Sequence, residues 1–242
     1  MSNMSKNRRM VKFLMRLHDR INRFLLFLKK NQRVSTVNYS LVKINLGSGL
    51  KVAPGWINID GHLQYFLSRS PTAILRLLYK LTQNQKQSYS INEYISILKS
   101  NRFVYHNLKY GIPFCDCTAD YIYCSHFLEH MYRDDAIKFV SEIYRVLKPG
   151  GILRICIPNL AYVFSLYNLG HKERALSYLF EFSETDEYTY HRYMYDFELL
   201  KKLLQEAGFQ KIDKQTYRKG AMLDIQNLDN RPDETLYVEA YK

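Results

Sequence analysis

Two glycines and a carboxylate stand at the ends of neighbouring apolar runs. Leu41–Leu46 is a short apolar run typical of a buried strand, and Gly47, Ser48 and Gly49 follow it at once. Glycine lets the backbone turn sharply and approach a ligand with its N–H groups facing it. Asp60 ends the next apolar run, where a carboxylate could accept hydrogen bonds from two ribose hydroxyls. A Gly-x-Gly alone predicts only a tight turn, and the acidic-ended strand favours a nucleoside ligand.

Three histidines occupy positions from which an imidazole could remove a proton from a hydroxyl. His126 directly follows a predicted strand, His130 lies at the start of the next predicted helix, and His191 precedes a capped helix. Glu129 could orient one of these neighbours or form a structural hydrogen bond. His130 could equally cap a helix, and His191 could be a surface loop residue.

The segments that position these residues alternate between strands and helices. Strands are predicted at residues 41–46, 56–60, 103–105, 119–125, 152–157, 209–213 and 235–241. Helices are predicted at residues 136–147 and 197–207, and at 73–81 and 91–98 within an insertion. The alternation favours an α/β fold with a parallel, doubly wound sheet. The insertion, residues 62–102, is more typical of a lid than of a core layer.

The positive charge is concentrated at the N-terminus. The net charge is +12, and residues 1–33 contribute ten Lys or Arg against one Asp. This segment carries +9, which leaves +3 for the remaining 209 residues. The body is therefore nearly neutral, which argues against a nucleic-acid partner that needs a broad positive face.

The same N-terminal segment carries an apolar stripe at helical spacing. The stripe consists of Met10, Leu14, Leu17, Ile21, Phe24 and Leu28. The segment holds too many charges to span a bilayer, and it lacks a signal-peptide cleavage site. Residues 8–33 could lie on an anionic membrane surface, pack on their own domain, or pack on a second copy in a homodimer. We therefore expect a basic helical arm and linker over residues 1–40 and one domain over residues 41–242.

The four cysteines indicate neither a disulfide framework nor a metal centre. They are Cys115, Cys117, Cys124 and Cys156, and no second Cys/His pair stands at zinc-finger spacing. We predict reduced thiols in a cytosolic protein and no metal site.

Motifs in the predicted core resemble those of a known family. The segments at residues 44–49, 55–60, 119–130, 145–151 and 206–209 are similar to those of class I S-adenosylmethionine-dependent methyltransferases. The motifs at residues 55–60, 124–130 and 145–151 further resemble a bacterial branch that often accompanies surface-polysaccharide biosynthesis. The resemblance covers residues 41–60 and 103–242.

The resemblance implies a Rossmann-like sheet of seven strands, the last antiparallel, with S-adenosylmethionine bound over the carboxyl ends of the strands. The cofactor-binding positions that it implies are Asn45, Gly47, Ser48, Gly49, Asp60, Asn107 and Ser125. The glycine loop would pass the methionine part, Asp60 would hold the ribose, and Asn107 would contact the adenine amino group. Ser125 and His126 would lie beside the sulfonium.

Three features depart from the family pattern, and one of them is Lys51, which stands where a third glycine is common. Asn45 stands where an acidic residue is usual, which would give the cofactor's amino group a weaker partner. Only ten residues separate Gly49 from Asp60, so the first helix must be very short or absent.

The function that the resemblance implies is methyl transfer, with a hydroxyl of a glycan or glycan precursor as the expected acceptor. A general base would help because a sugar hydroxyl is a poor nucleophile at neutral pH, and His126 is the first candidate. One alternative is a scaffold that keeps the fold without catalysis, which Asn45 and Asn107 in place of acids would favour. The other is a methyltransferase that acts on nucleic acid, which only the basic arm favours. The expected location is cytoplasmic, and it would be peripheral on the inner face of the membrane if the arm binds lipid.

Overall fold

The computed structural model describes residues 17–82, 89–180 and 190–242. The strands are β1 (Lys43–Leu46), β2 (Ile57–Asp60), β3 (Arg102–Tyr105), β4 (Ala119–Ser125), β5 (Leu147–Pro158), β6 (Lys211–Gln215) and β7 (Thr235–Tyr241). They form one seven-stranded sheet in the order β3-β2-β1-β4-β5-β7-β6. The first five strands are parallel, and β7 runs antiparallel to β5 and β6. The predicted Rossmann-like sheet, with its last strand antiparallel, is confirmed.

Helices connect these strands. They are α1 (17–28), α2 (Leu63–Phe66), α3 (Thr72–Thr82), α4 (Ile91–Ser100), α5 (Arg133–Val146), α6 (Leu160–Asn168), α7 (Lys172–Leu179), α8 (Phe197–Glu206) and α9 (Ile225–Leu228). Short 3-10 turns occupy Leu108–Tyr110 and Leu128–His130. The 3-10 turn at Leu128–His130 corrects the expectation that Glu129 and His130 begin the next helix, which starts instead at Arg133.

One face of the sheet is covered by α5 and α8. Asp196 begins α8 by accepting a hydrogen bond from Leu199 N at 2.8 Å, and Asp134 and Asp135 lie in the first turn of α5. Leucines at helical spacing then bury one side of α8, which packs with α5 against the central strands. Burial of each such leucine stabilises the fold by roughly 2 kcal/mol.

The other face of the sheet carries a fully buried ionic cluster. Arg154 Nη2 lies 2.6 Å from Asp229 and Nη1 lies 2.9 Å from Glu239, and all three side chains are inaccessible to solvent. No helix stands between Gly49 and β2, as expected from the short spacing. The cluster ties residues 216–231 to the sheet, because Arg154 also donates to Thr216 O and Lys219 O.

The N-terminal helix α1 packs on the insertion through a face other than the predicted stripe. Leu26 is buried with tyrosines of the insertion, and Asn22 donates to Gly61 O at 3.0 Å. The members of the stripe that are described are all exposed: Leu17, Ile21, Phe24 and Leu28. Met10 and Leu14 lie outside the described residues. No helix in the described ranges is long and apolar enough to cross a bilayer.

Candidate active site

A cavity of about 240 Å³ opens at the carboxyl edge of the sheet between β1 and β4. These two strands are neighbours in the sheet, although the chain passes through β2 and β3 between them. Such a topological switch point is where open α/β sheets bind ligands. The cavity is lined by Asn45, Gly47, Ser48, Gly49, Leu50, Lys51, Tyr89, Tyr123, Ser125, His126, Asn230 and Arg231.

The glycine loop forms one wall, but its N–H groups are already used. Gly47 N and Ser48 N both donate to Ile59 O, at 2.9 and 3.3 Å, and Gly49 N donates to Asp60 at 3.0 Å. The expectation that these N–H groups face a ligand was therefore wrong. The loop instead allows a ligand to come close to its backbone. Gly49 has a φ of +49°, and no atom lies within 4 Å of where a Cβ would stand.

Gly47 is required for two reasons. Its φ is +62°, a left-handed conformation that side chains rarely adopt. A Cβ there would also collide with the ring of Phe127, which packs against the main hydrophobic core. The loop therefore turns directly over the residues that follow β4.

Asn45 is part of the loop's internal structure. Its side-chain amide is buried and donates to Lys51 O at 2.8 Å and to Asn58 Oδ1 at 3.0 Å. A carboxylate could donate neither hydrogen bond. Asn45 thus closes the loop from 45 to 51, and both of its amide hydrogens are used within the fold. Its expected contact with the cofactor stays a prediction.

Asp60 is buried beside this loop, outside the residues that line the cavity. Its carboxylate accepts hydrogen bonds from Gly49 N and His62 N, each at 3.0 Å, and contacts the His62 ring. Burial alone would raise the pKa of Asp60, but His62 and the two N–H groups outweigh burial, so the pKa lies below its ordinary value. A carboxylate can accept more than these hydrogen bonds, and the ribose contact stays a prediction.

Asn107 also lies outside the cavity lining. Its side-chain oxygen accepts a hydrogen bond from Lys109 N at 3.0 Å and so caps the 3-10 turn that follows β3. The oxygen that was expected to meet an adenine amino group therefore has a structural partner, and the adenine contact stays a prediction.

Ser125 and His126 form the wall opposite the glycine loop. The Ser125 hydroxyl is buried and has no hydrogen-bond partner among the described residues. His126 has a φ of +49°, an uncommon backbone conformation for a residue with a side chain. Its Nε2 lies 3.2 Å from Thr235 Oγ1, and its Nδ1 lies 3.3 Å from Glu129 Oε1 and 3.4 Å from Arg231 Nη1. Of the three candidate histidines, His126 is the one that lines the cavity.

Glu129, His130 and His191 lie together behind His126. The Glu129 side chain is 1% exposed, and its Oε1 lies 3.9 Å from His130 Nε2. Burial alone would raise the pKa of Glu129, but His126 and His130 outweigh burial and lower it. The sequence predicts no metal site, yet ligand atoms of Glu129, His130 and His191 lie within 4.8 Å of one another.

Several lining residues had no signal in the sequence. Tyr89 comes from the insertion between α3 and α4, while Asn230 and Arg231 follow Asp229 in the segment held by Arg154. Their place at the cavity depends on the buried ion pair between Arg154 and Asp229, which connects residues 75 positions apart. Charge and periodicity could not have shown this pairing.

A family model described as a methyltransferase domain matches residues 76–155, about a third of the chain. This match and the order of the sheet bear out the resemblance to class I S-adenosylmethionine-dependent methyltransferases. The further resemblance to a branch associated with surface polysaccharides stays a prediction.

Solved structures of low sequence identity are similar to this chain. A candidate O-methyltransferase from Nostoc punctiforme PCC 73102 is 13% identical with a TM-score of 0.47, and the match covers 85% of this chain and 53% of that protein's chain. An S-adenosylmethionine-dependent methyltransferase from Thermotoga maritima is 15% identical with a TM-score of 0.46, covering 99% and 96%. One from Archaeoglobus fulgidus is 17% identical with a TM-score of 0.45, covering 93% and 93%. The chain thus spans about half of the first relative, and these values carry no conclusion about substrate.

Proposed function

We propose that this protein transfers a methyl group from S-adenosylmethionine to a hydroxyl of a glycan or glycan precursor. The observation that carries the proposal is the cavity at the switch point between β1 and β4. Gly49 leaves open space on one side of it, and the buried Ser125 hydroxyl on the other has no partner in the described residues. A buried polar group of this kind is costly unless a ligand satisfies it, so both features fit a polar cofactor.

The bound cofactor would supply an activated methyl group, and the protein would align the acceptor with it. Gly47 and Gly49 let the backbone approach the cofactor closely, and Ser125 can donate or accept one hydrogen bond to it. Asp60 holds the glycine loop by accepting a hydrogen bond from Gly49 N, and its carboxylate can still accept a hydrogen bond from a ribose hydroxyl.

His126 is our proposed general base. The imidazole lies at the cavity wall, and Glu129 behind it is placed to stabilise the positive charge that forms when the ring accepts a proton. An oxygen acceptor needs such a base, which is why a hydroxyl is favoured. To act, His126 must exchange its contact with Thr235 or Arg231 for the acceptor. The glycan class itself is supported by the sequence resemblance.

Neither alternative gains support from the described residues. The scaffold hypothesis draws on Asn45 and Asn107 in place of acids. Asn45 donates two hydrogen bonds that an acid could not make, so the residue at this position does not argue against a working loop. The nucleic-acid hypothesis drew on the basic arm, whereas the remaining 209 residues carry only +3.

The test is calorimetric titration of the full chain with S-adenosylmethionine and S-adenosylhomocysteine, comparing Gly49→Ala with Gly150→Ala. Both glycines have positive φ and no atom within 4 Å of an added Cβ, so each substitution costs a similar backbone strain of about 1–2 kcal/mol. Only Gly49 lines the cavity; Gly150 lies at the start of β5, at the opposite edge of the sheet.

We expect saturable binding to the wild type and to Gly150→Ala, and at least tenfold weaker binding to Gly49→Ala. Equal binding to all three proteins would place the cofactor elsewhere, and no binding to a folded wild type would end the proposal. A positive result justifies an acceptor screen that measures S-adenosylhomocysteine release. Release with sugar nucleotides or glycosides supports the glycan class, while release with only oligonucleotides overturns it.

We further propose that the arm, residues 8–33, docks on an anionic membrane surface. The exposed stripe of α1 is flanked by exposed Arg20, Arg23 and Lys30, and basic residues beside apolar ones suit an anionic bilayer. Deleting residues 1–33 is a poor test, because it would also remove Leu26 from its buried cluster.

A sharper test replaces Phe24 and Leu28, which are 62% and 63% exposed, with serine. Val37→Ser is the matched control, since Val37 is 89% exposed and follows the helix. We expect the double variant to lose flotation with phosphatidylserine vesicles while the control retains it. Wild-type protein that fails to float with anionic vesicles, or a stripe variant that floats as well, would reject the membrane proposal. A dimer that dissociates in the double variant would point to a second copy instead.

A further inference from the structure

Three side chains converge behind the cavity wall, and two of them, His130 and His191, have no part in the methyl-transfer proposal. Glu129 lies in the 3-10 turn after β4, His130 follows it, and His191 lies in the segment that precedes α8. One ligand atom from each lies within 4.8 Å of the other two. We propose that these three residues bind one divalent transition-metal ion of the zinc type.

The first argument is the condition of the carboxylate. Glu129 is 1% exposed, and neither of its oxygens has a hydrogen-bond partner in the part of the chain that the structure describes. The nearest groups are His126 Nδ1 at 3.3 Å and His130 Nε2 at 3.9 Å, close enough to attract the charge. Buried carboxylates are usually hydrogen-bonded, and both oxygens of this one keep the capacity to bind a cation.

The second argument is the orientation of the two imidazoles. His130 Nδ1 lies 3.1 Å from Tyr190 O, and His191 Nδ1 lies 2.6 Å from Tyr178 O. A carbonyl can only accept, so each Nδ1 carries the proton, and Nε2 would be the nitrogen that binds the ion. Metal-binding histidines usually donate their second nitrogen to a carbonyl in this way, which fixes the ring and its tautomer.

The third argument is distance. Bonds of about 2.1 Å in a tetrahedral site hold neighbouring ligand atoms about 3.4 Å apart. The Glu129 and His130 atoms are 3.9 Å apart, and no pair in the cluster exceeds 4.8 Å, so closing on an ion takes roughly 1 Å of side-chain movement.

The donor set indicates the class of ion. Two imidazoles and one carboxylate suit zinc, iron(II) or cobalt(II), whereas magnesium and calcium prefer oxygen ligands. Three protein ligands leave at least one position for water or another oxygen ligand, as in open zinc sites. His126 falls outside the set, so it would support Glu129 from the cavity side.

An ion here would join two distant parts of the chain at the cavity. Arg192 N and Tyr193 N already donate to Glu129 O, at 2.7 and 3.2 Å, and hold the segment before α8 against the 3-10 turn. A metal bond from His191 to the same turn would tighten this junction.

The test uses the untagged full chain, freed of metal with a chelator and titrated with Co²⁺ and with Zn²⁺. Cobalt uptake is followed by visible absorption, zinc uptake by calorimetry and by the rise in Tm. The variants are Glu129→Gln and His191→Gln. His171→Gln removes an exposed histidine outside the cluster, and a Cys115→Ser/Cys117→Ser double variant removes the exposed thiols that could also bind metal.

We expect one ion per wild-type chain, a higher Tm with Zn²⁺ than with Mg²⁺, and at least about 100-fold weaker binding in Glu129→Gln and His191→Gln. The two control variants should bind as the wild type does. Absence of stoichiometric Co²⁺ or Zn²⁺ binding by the wild type overturns the proposal. So does binding that survives in both cluster variants, or that disappears in the cysteine variant. No cofactor is used, so the outcome is independent of the methyl-transfer proposal.

Discussion

Two buried carboxylates, Asp60 and Glu129, lie at the carboxyl edge of the same sheet and differ in the groups that balance their charge. Asp60, at the end of β2, accepts hydrogen bonds from Gly49 N and His62 N. The side-chain carboxylate of Glu129, just after β4, accepts no hydrogen bond from the described residues, although two imidazoles lie within 4 Å of it. Asp60 therefore stabilises the glycine loop through hydrogen bonds, whereas the charged form of Glu129 is favoured by the nearby imidazoles of His126 and His130. Unsatisfied polar groups of the second kind concentrate at functional sites.

The largest effect should come from His126, on the Glu129 side of the comparison. Once an acceptor is known, we expect His126→Asn to lower kcat by about 100-fold to 10,000-fold, the usual contribution of a general base. Asparagine tolerates the left-handed backbone at this position, so the fold should persist. Cofactor affinity should stay within threefold. A variant with wild-type kcat would remove His126 as the base, and His171→Asn serves as the control.

The second prediction concerns removal of the hydrogen-bonded carboxylate of Asp60. Asp60→Ala leaves the N–H groups of Gly49 and His62 without their acceptor, so we expect the free energy of unfolding to fall by about 2–4 kcal/mol. Urea unfolding at pH 7 measures it. Asp116→Ala is the matched control, because the Asp116 side chain is 75% exposed and its contact with Arg145 should contribute less than about 1 kcal/mol. A loss at Asp60 no greater than the loss at Asp116 would contradict this account.

The third prediction is a smaller effect at the other carboxylate. In metal-free protein, Glu129→Gln removes both the cost of burying a charge and the attraction of His126 and His130 for that charge, so the free energy of unfolding should change by less than about 1 kcal/mol in either direction. The substitution keeps the shape of the side chain, and urea unfolding with a chelator present measures its effect. A loss greater than about 2 kcal/mol would mean that the pairing of Glu129 with His126 and His130 already stabilises the fold.

Local sequence patterns were enough to predict the sheet and to place the glycine loop near the end of β4. The apolar runs, the turn glycines and the carboxylate at Asp60 are short-range signals, and β4 was predicted with the boundaries that the structure has, Ala119–Ser125. The start of β5 was less well predicted. The strand begins at Leu147 and not at Ile152, because Leu147 already pairs with Ala119 of β4.

The contacts within the site could not be predicted, because they join residues that are distant in sequence. Asn45 looked like a weakened cofactor ligand, but its partners are Lys51 O and Asn58. His130 and His191 looked like separate candidates for a base, whereas their ring centroids lie 5.3 Å apart. Only the folded chain brings His191 to the turn after β4, through hydrogen bonds from Arg192 N and Tyr193 N. Sequence periodicity carries no information about a contact between residues that lie about 60 positions apart.

The last prediction concerns acid and has the smallest expected effect. The folded-state pKa of Asp60 lies below its ordinary value because His62 and two N–H groups favour the charged form more than burial disfavours it. A depressed pKa gives stability that is present above the unfolded pKa, near 4, and is lost as pH falls through the folded value. Asp60→Asn cannot gain or lose this charge. The difference in unfolding free energy between wild type and Asp60→Asn should therefore shrink as the pH falls below about 4. A difference that stays constant down to pH 2.5 would show that the hydrogen bonds to Asp60 do not depend on its charge, and the contrast with Glu129 would then be one of geometry alone.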